Sequence, residues 1–150
     1  MNWTPSTIAA LLATIVVGAL VTLQPPVNSE LGRRTGDLGA AFVSVSVTFA
    51  ILGVAMLLFG DFSSLSRLRG VPLIYLTGGI YGALFVAATL VTVRYLGAGV
   101  TIAVLVAVQL IVAAMLDHFG LLGLDVVALS PARVIGICVL IAGTILVTLH

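Results

Sequence analysis

The feature that most constrains this chain is where its charges are missing. No charged side chain occurs before Glu30, and further uncharged stretches fill 38–60, 70–93, 95–116 and 134–149. A helix needs about 20 mostly apolar residues to cross the hydrocarbon core, and backbone at that depth must satisfy its own hydrogen bonds. The stretches are of that order, and far too long and apolar for barrel strands. They predict an all-α polytopic membrane protein whose residues 1–150 form a single domain of five transmembrane helices. The spans read as about 5–31, 37–59, 71–93, 100–119 and 132–149. A water-facing surface normally requires about a quarter charged residues. Here 61% of the 150 residues are hydrophobic and 7% are charged, with a mean hydropathy of +1.34.

Punctuation between the spans supports this division. The first apolar run reaches Leu23 and extends to Leu31 if it continues through Pro25 and Pro26. GDFSSLSRLRG closes the second span, Pro72 suits the first turn of the third, and RYLGAG (94–99) separates the third from the fourth. GLLGLDVVALSP (120–131) reads as the longest connection. MNWTPST lacks the basic region of a cleaved signal peptide, so the first run is expected to stay as a span. Cys138 is the only cysteine, which excludes an intrachain disulfide, and its apolar neighbours read it as a small core residue.

Excess Lys and Arg on one side normally sets membrane orientation. The chain has no Lys. Its six arginines divide into Arg33, Arg34 and Arg94 on one side, and Arg67, Arg69 and Arg133 on the other. Two readings follow: weak topology signals resolved during insertion, or dual topology with an antiparallel homodimer.

Polar side chains within spans are costly and usually face a partner or a cavity. Gln24 and Asn28 are four apart and share a helical face. Pro25 and Pro26 leave the carbonyls of Val21 and Thr22 without their usual donors and should kink or end the helix. A proline-interrupted segment with free carbonyls and two amides can hold a polar solute, as discontinuous helices do in transporters. The other reading is a plain helix end. Glu30 stands three and four residues before Arg33 and Arg34, the spacing of helical ion pairs, with a coupling role as the alternative. Gln109, flanked by small Ala107, Ala113 and Ala114, reads either as interhelical glue or as a cavity residue. Tyr81 and Ser46 are further substrate-binding candidates. Ser44, Ser46 and Thr48 alternate, which spreads them around a helix. DHFG (117–120) places Gly120 as a C-terminal cap, and Asp117 and His118 carry a second, proton-relay reading.

Small residues mark packing surfaces. Gly78 and Gly82 form a GxxxG pair, and Gly79, Ala83 and Ala87 a second stripe, so the third helix is expected to be tightly packed. Gly136 and Gly143, seven apart on the fifth helix, offer a seam for a second subunit.

Several classes are excluded or disfavoured. No basic patch suits a nucleic acid. No nucleophile–base pair or metal cluster is present, so no catalytic residue, metal ligand or cofactor is expected and an enzyme is not. Taken in order, Q-P-x-x-N (Gln24, Pro25, Asn28), GGIYGALF (78–85), RYLGAG (94–99), Gln109, DHFG (117–120) and ARVIG (132–136) cover nearly all of the chain. Through them the chain resembles the YdcZ-like family of small bacterial inner-membrane proteins within the drug/metabolite transporter superfamily. The resemblance implies a five-helix unit equal to half of a ten-helix transporter. That unit would pair with itself or with a sister subunit of opposite orientation, and its substrate would be a small organic metabolite or drug. Small multidrug resistance relatives carry an embedded glutamate in helix one. Here that position class holds only the neutral Gln24 and Asn28, which suit a neutral or zwitterionic solute better than a bare cation.

These readings lead to a carrier in which two copies enclose a cavity lined by Gln24, Asn28 and Gln109 and alternate between inward-open and outward-open states. A dual-topology ion channel and a non-transporting accessory subunit are the alternatives.

Overall fold

The computed structural model describes residues 4–149, and every regular element among them is helical. Helix α1 is Pro5–Thr35 and α2 is Asp37–Phe59. The helical run Gly78–Phe119 is interrupted at Gly97, giving α3 (78–96) and α4 (98–119). Helix α5 is Pro131–Thr148. Four of the helical runs are long and apolar enough to cross a membrane. At 1.5 Å per residue the 42 residues of Gly78–Phe119 would extend about 63 Å, roughly twice the hydrocarbon thickness. Its two halves are each about one crossing long, which brings the helices to five and makes the chain a multi-pass membrane protein.

The ends are set by local chemistry. Thr4 caps α1 by accepting from the Thr7 amide at 3.2 Å, with Pro5 in the first turn, where its missing N–H costs nothing. Ser130 and Pro131 start α5 in the same way. Gly36 is the single residue between α1 and α2, at φ 81° and ψ 152°, and Gly97 adopts nearly the same conformation at φ 77° and ψ 162°. That region is essentially open only to glycine, so each joint requires the residue it has. Asp37 occupies the first turn of α2, where a carboxylate favours the helix dipole.

Four boundaries differ from those expected. Pro25 and Pro26 neither end nor interrupt α1, which stays helical to Thr35. Pro25 is buried and Pro26 half-buried against the rest of the unit, while the carbonyls they leave free belong to the exposed Val21 and Thr22. The third helix starts at Gly78 rather than Val71, because Leu73–Leu76 forms a separate 3-10 turn after Pro72. Within RYLGAG only Gly97 leaves helical geometry. The longest connection is the one from Gly60 to Thr77, with a 3-10 helix at Phe62–Gly70, and not 120–131.

The chain divides into two compact units, Met1–Arg94 and Tyr95–His150. The core of the first is Ala40, Ala41, Val86 and Leu90, with Leu31, Phe85, Ala87 and Val91 packed around it. Lipid is as apolar as leucine, so such a contact depends on close van der Waals fit, which the two alanines of α2 permit. In the second unit Ala107, Ala114 and Thr101 are buried on α4, and the Thr144 hydroxyl of α5 donates to Leu140 O at 2.9 Å and reaches Ala103 O at 3.4 Å. Cys138 of α5, expected in the core, is exposed on the single chain.

Candidate functional site

The second half of α1 organises the first unit. Its buried residues are Pro25, Asn28, Ser29 and Gly32, an i, i+3, i+4, i+7 series that forms one helical stripe. Apart from Pro25 this stripe is polar or small, whereas the apolar first half of the helix is exposed. The part of α1 that meets the rest of the unit is therefore the part with the membrane-untypical residues.

Two polar contacts fasten the stripe. Asn28 Nδ2 donates to Ser44 Oγ on α2 at 3.0 Å, so its amide is engaged between helices. The buried Ser29 hydroxyl accepts from Arg94 Nε at 3.2 Å, and an Arg94 terminal nitrogen donates to Asp37 Oδ1. Arg94 thus ties α3 to the α1–α2 corner, with its side chain only 24% exposed. Gly32 makes room for it: a Cβ there would sit 2.7 Å from Arg94 and 3.0 Å from Asp37 Oδ1.

Gln24 borders one flank of the stripe. It lines a pocket of about 310 Å³ with Val45 and Thr48 of α2 and Gly79, Gly82, Ala83, Phe85 and Val86 of α3. Residues 79, 82, 83 and 86 have the spacing of one helix face, and a Cβ on Gly79 or Gly82 would meet nothing within 4 Å. The small stripe of α3 was expected to bring helices together; within the chain it instead leaves an open space beside the Gln24 amide. The intrachain contact falls further along α3, at Val86 and Leu90. Gly78 likewise has open surroundings, as do Gly136 and Gly143 on α5.

On the opposite flank, Pro26, Ser29, Glu30, Arg33, Val93 and Arg94 line a smaller space of about 200 Å³. Glu30 accepts from Arg34 at 3.3 Å and has Arg33 at 3.9 Å, the i+4 and i+3 pairs that the spacing predicts. All three side chains are more than half exposed.

The second unit has its own constellation at the C-terminal end of α4. Asp117 Oδ2 receives Arg133 of α5 at 3.2 Å, at one edge of an otherwise apolar pocket of about 430 Å³ floored by Leu110, Ala113, Ala114, Gly136 and Leu140. Gly120 adopts the left-handed conformation expected of the cap, and the Asp117 carbonyl accepts from Val127 N at 2.9 Å. His118 Nδ1 accepts from Leu129 N at 3.3 Å, which ties down the 121–130 connection.

Of the expected binding residues, Gln24 faces a pocket and Asn28 serves the helix contact. Tyr81 and Ser46 are exposed, outside the walls of the Gln24 pocket, and Gln109 is exposed on α4 in the second unit. Asp117 and Glu30 are both held in ion pairs. Residues 9–146 match the family described as "Putative inner membrane exporter, YdcZ". The chain belongs to the YdcZ family. Comparison with curated proteins and with solved structures yields no match. The family description names an inner-membrane exporter rather than an enzyme.

Ser29, Gly32, Asp37 and Arg94 were not singled out as a group by sequence reasoning, although the 25, 28, 29, 32 spacing was there to be read. Thr101, buried with an unpartnered hydroxyl among the described residues, had no signal beyond its position four residues after Gly97.

Proposed function

We propose that this YdcZ-family chain is one half of an exporter of small neutral or zwitterionic organic solutes in a bacterial inner membrane. Two copies, or one copy and a sister subunit, enclose the transport path and alternate its access, with an antiparallel pair favoured by the three-against-three division of arginines. The observation that carries the proposal is the Gln24 pocket. Gln24, whose amide can both donate and accept, lines a mostly apolar space there, and a Cβ on Gly79 or Gly82 would meet nothing within 4 Å, which supports this reading. Gln109, Tyr81 and Ser46, exposed on the single chain, complete the path from the partner side, and Gly136 and Gly143 form the seam between subunits. Asn28 acts through the helix contact that positions Gln24.

The test is uptake into proteoliposomes across a panel of metabolites and drug-like solutes, paired with thermal stabilisation of the purified chain by each solute. Saturable flux is expected. Gln24→Ala should weaken the stabilising solute by about fivefold, the value of one neutral hydrogen bond. Gly82→Leu should fill the pocket and stop flux without lowering the melting temperature. Unsaturated conductance would indicate a channel, and unchanged flux in both variants would remove this pocket from the path.

A further inference from the structure

The small space on the other flank of α1 combines two cationic groups, one carboxylate and a hydroxyl above an apolar floor of Pro26 and Val93. Its depth can be read from α1. The 31 residues of that helix extend about 46 Å, against about 30 Å of hydrocarbon and about 40–45 Å once headgroups are included. Since α1 is uncharged up to Ser29, Glu30 and Arg33 fall at headgroup level. Arg94 is held at the same level by Asp37.

These groups keep unused capacity. A guanidinium has five N–H donors, and Arg94 commits its Nε to Ser29 and one terminal nitrogen to Asp37. Arg33 stands 3.9 Å from Glu30 Oε2, beyond hydrogen-bond length, while Arg34 takes Oε1. Oε2 is therefore available to a cation, and Arg33 and Arg94 to an anion. The spacing of both signs around one cleft matches a zwitterion that contains a phosphate and a primary amine.

We propose that this cleft binds the headgroup of an aminophospholipid, the phosphate on Arg33 and Arg94 and the ammonium on Glu30. The glycerol and acyl chains then continue past Pro26 and Val93 into the bilayer. This site is separate from the Gln24 pocket and does not depend on what that pocket carries. Anionic lipids alone would satisfy the arginines but would leave Glu30 Oε2, which has Arg33 only at 3.9 Å, without a cation at hydrogen-bond length.

The purified full-length chain, delipidated and presented with phosphatidylethanolamine, phosphatidylglycerol or phosphatidylcholine, tests this by native mass spectrometry and melting temperature. Water-soluble phosphoethanolamine forms a fourth arm. Phosphatidylethanolamine should be retained about threefold to fivefold better than either of the other lipids, the scale of one partly exposed charge pair. Glu30→Gln should abolish its advantage over phosphatidylglycerol, and Arg33→Gln should weaken all three lipids. Both side chains are largely exposed, 56% and 64%, so the variants keep the fold. Equal retention of the lipids, or an unchanged order in Glu30→Gln, would overturn the proposal. Equal affinity for soluble phosphoethanolamine would assign the cleft to a free metabolite instead.

Discussion

Replacing Gly32 by alanine sets two effects of opposite sign against each other. Alanine is the better helix former by about 1 kcal/mol, so on propensity alone Gly32→Ala would stabilise α1. Its Cβ, however, would come within 2.7 Å of Arg94 and 3.0 Å of Asp37 Oδ1. The end of the Arg94 side chain can move aside, but moving breaks its contacts with Ser29 and Asp37. Hydrogen bonds to charged groups contribute about 1.5–3 kcal/mol each, and the 45% exposure of Asp37 discounts its share through solvent screening. A loss of about 2–3 kcal/mol against a gain of about 1 leaves a net destabilisation of about 1–2 kcal/mol. Gly18 is the matched control, in the same helix with nothing within 4 Å of a built Cβ; there the alanine should be neutral or stabilising. Reversible unfolding in mixed micelles measures both. In an Arg94→Ala background the Gly32→Ala penalty should largely disappear. Equal effects at Gly18 and Gly32 would refute the reasoning, because propensity would then be the only effect present.

Two further outcomes follow from contacts elsewhere. A double-mutant cycle on Asn28→Ala and Ser44→Ala should give a coupling of about 0.6 kcal/mol, the usual value of a hydrogen bond between membrane helices, and a coupling of zero would mean that the 3.0 Å contact does not hold the helices. Outside the spans, Asp61 caps the Phe62–Gly70 turn by accepting from the Ser63 hydroxyl at 2.8 Å and the Ser63 amide at 2.9 Å, and these bonds hold its carboxyl below its ordinary pKa. A depressed folded-state value means the cap's contribution is present above the unfolded-state pKa and is lost as pH falls through the folded one. The Ser63 amide resonance should therefore titrate below the normal aspartate range, and Asp61→Asn should remove that titration.

How far the sequence could be read depends on which physics decided each feature. Helix α2 came out at its expected bounds because both ends carry local instructions, Gly36–Asp37 at the start and Gly60 at the finish. Helix α5 was legible for the same reason, through Ser130 and Pro131. Pro25 and Pro26 misled because their cost is local while the packing around them is tertiary: the stripe that buries Pro25 also contains Asn28, Ser29 and Gly32, and a single helix cannot show what it packs against. Arg94 shows the same limit more sharply. Read as a loop charge, it counts only towards orientation; carried on α3 beyond its expected end, it becomes the side chain that joins three helices. The α3 glycines form a stripe by their spacing, yet small size permits either close approach or an opening, and within the chain the stripe lines an open space with Val45 and Thr48 of α2. The stretch from Gln24 to Arg34 is accordingly neither a broken helix nor a helix end. It is one continuous surface whose buried stripe holds the unit together, while its two flanks face two different spaces, one with an amide and one with charges of both signs.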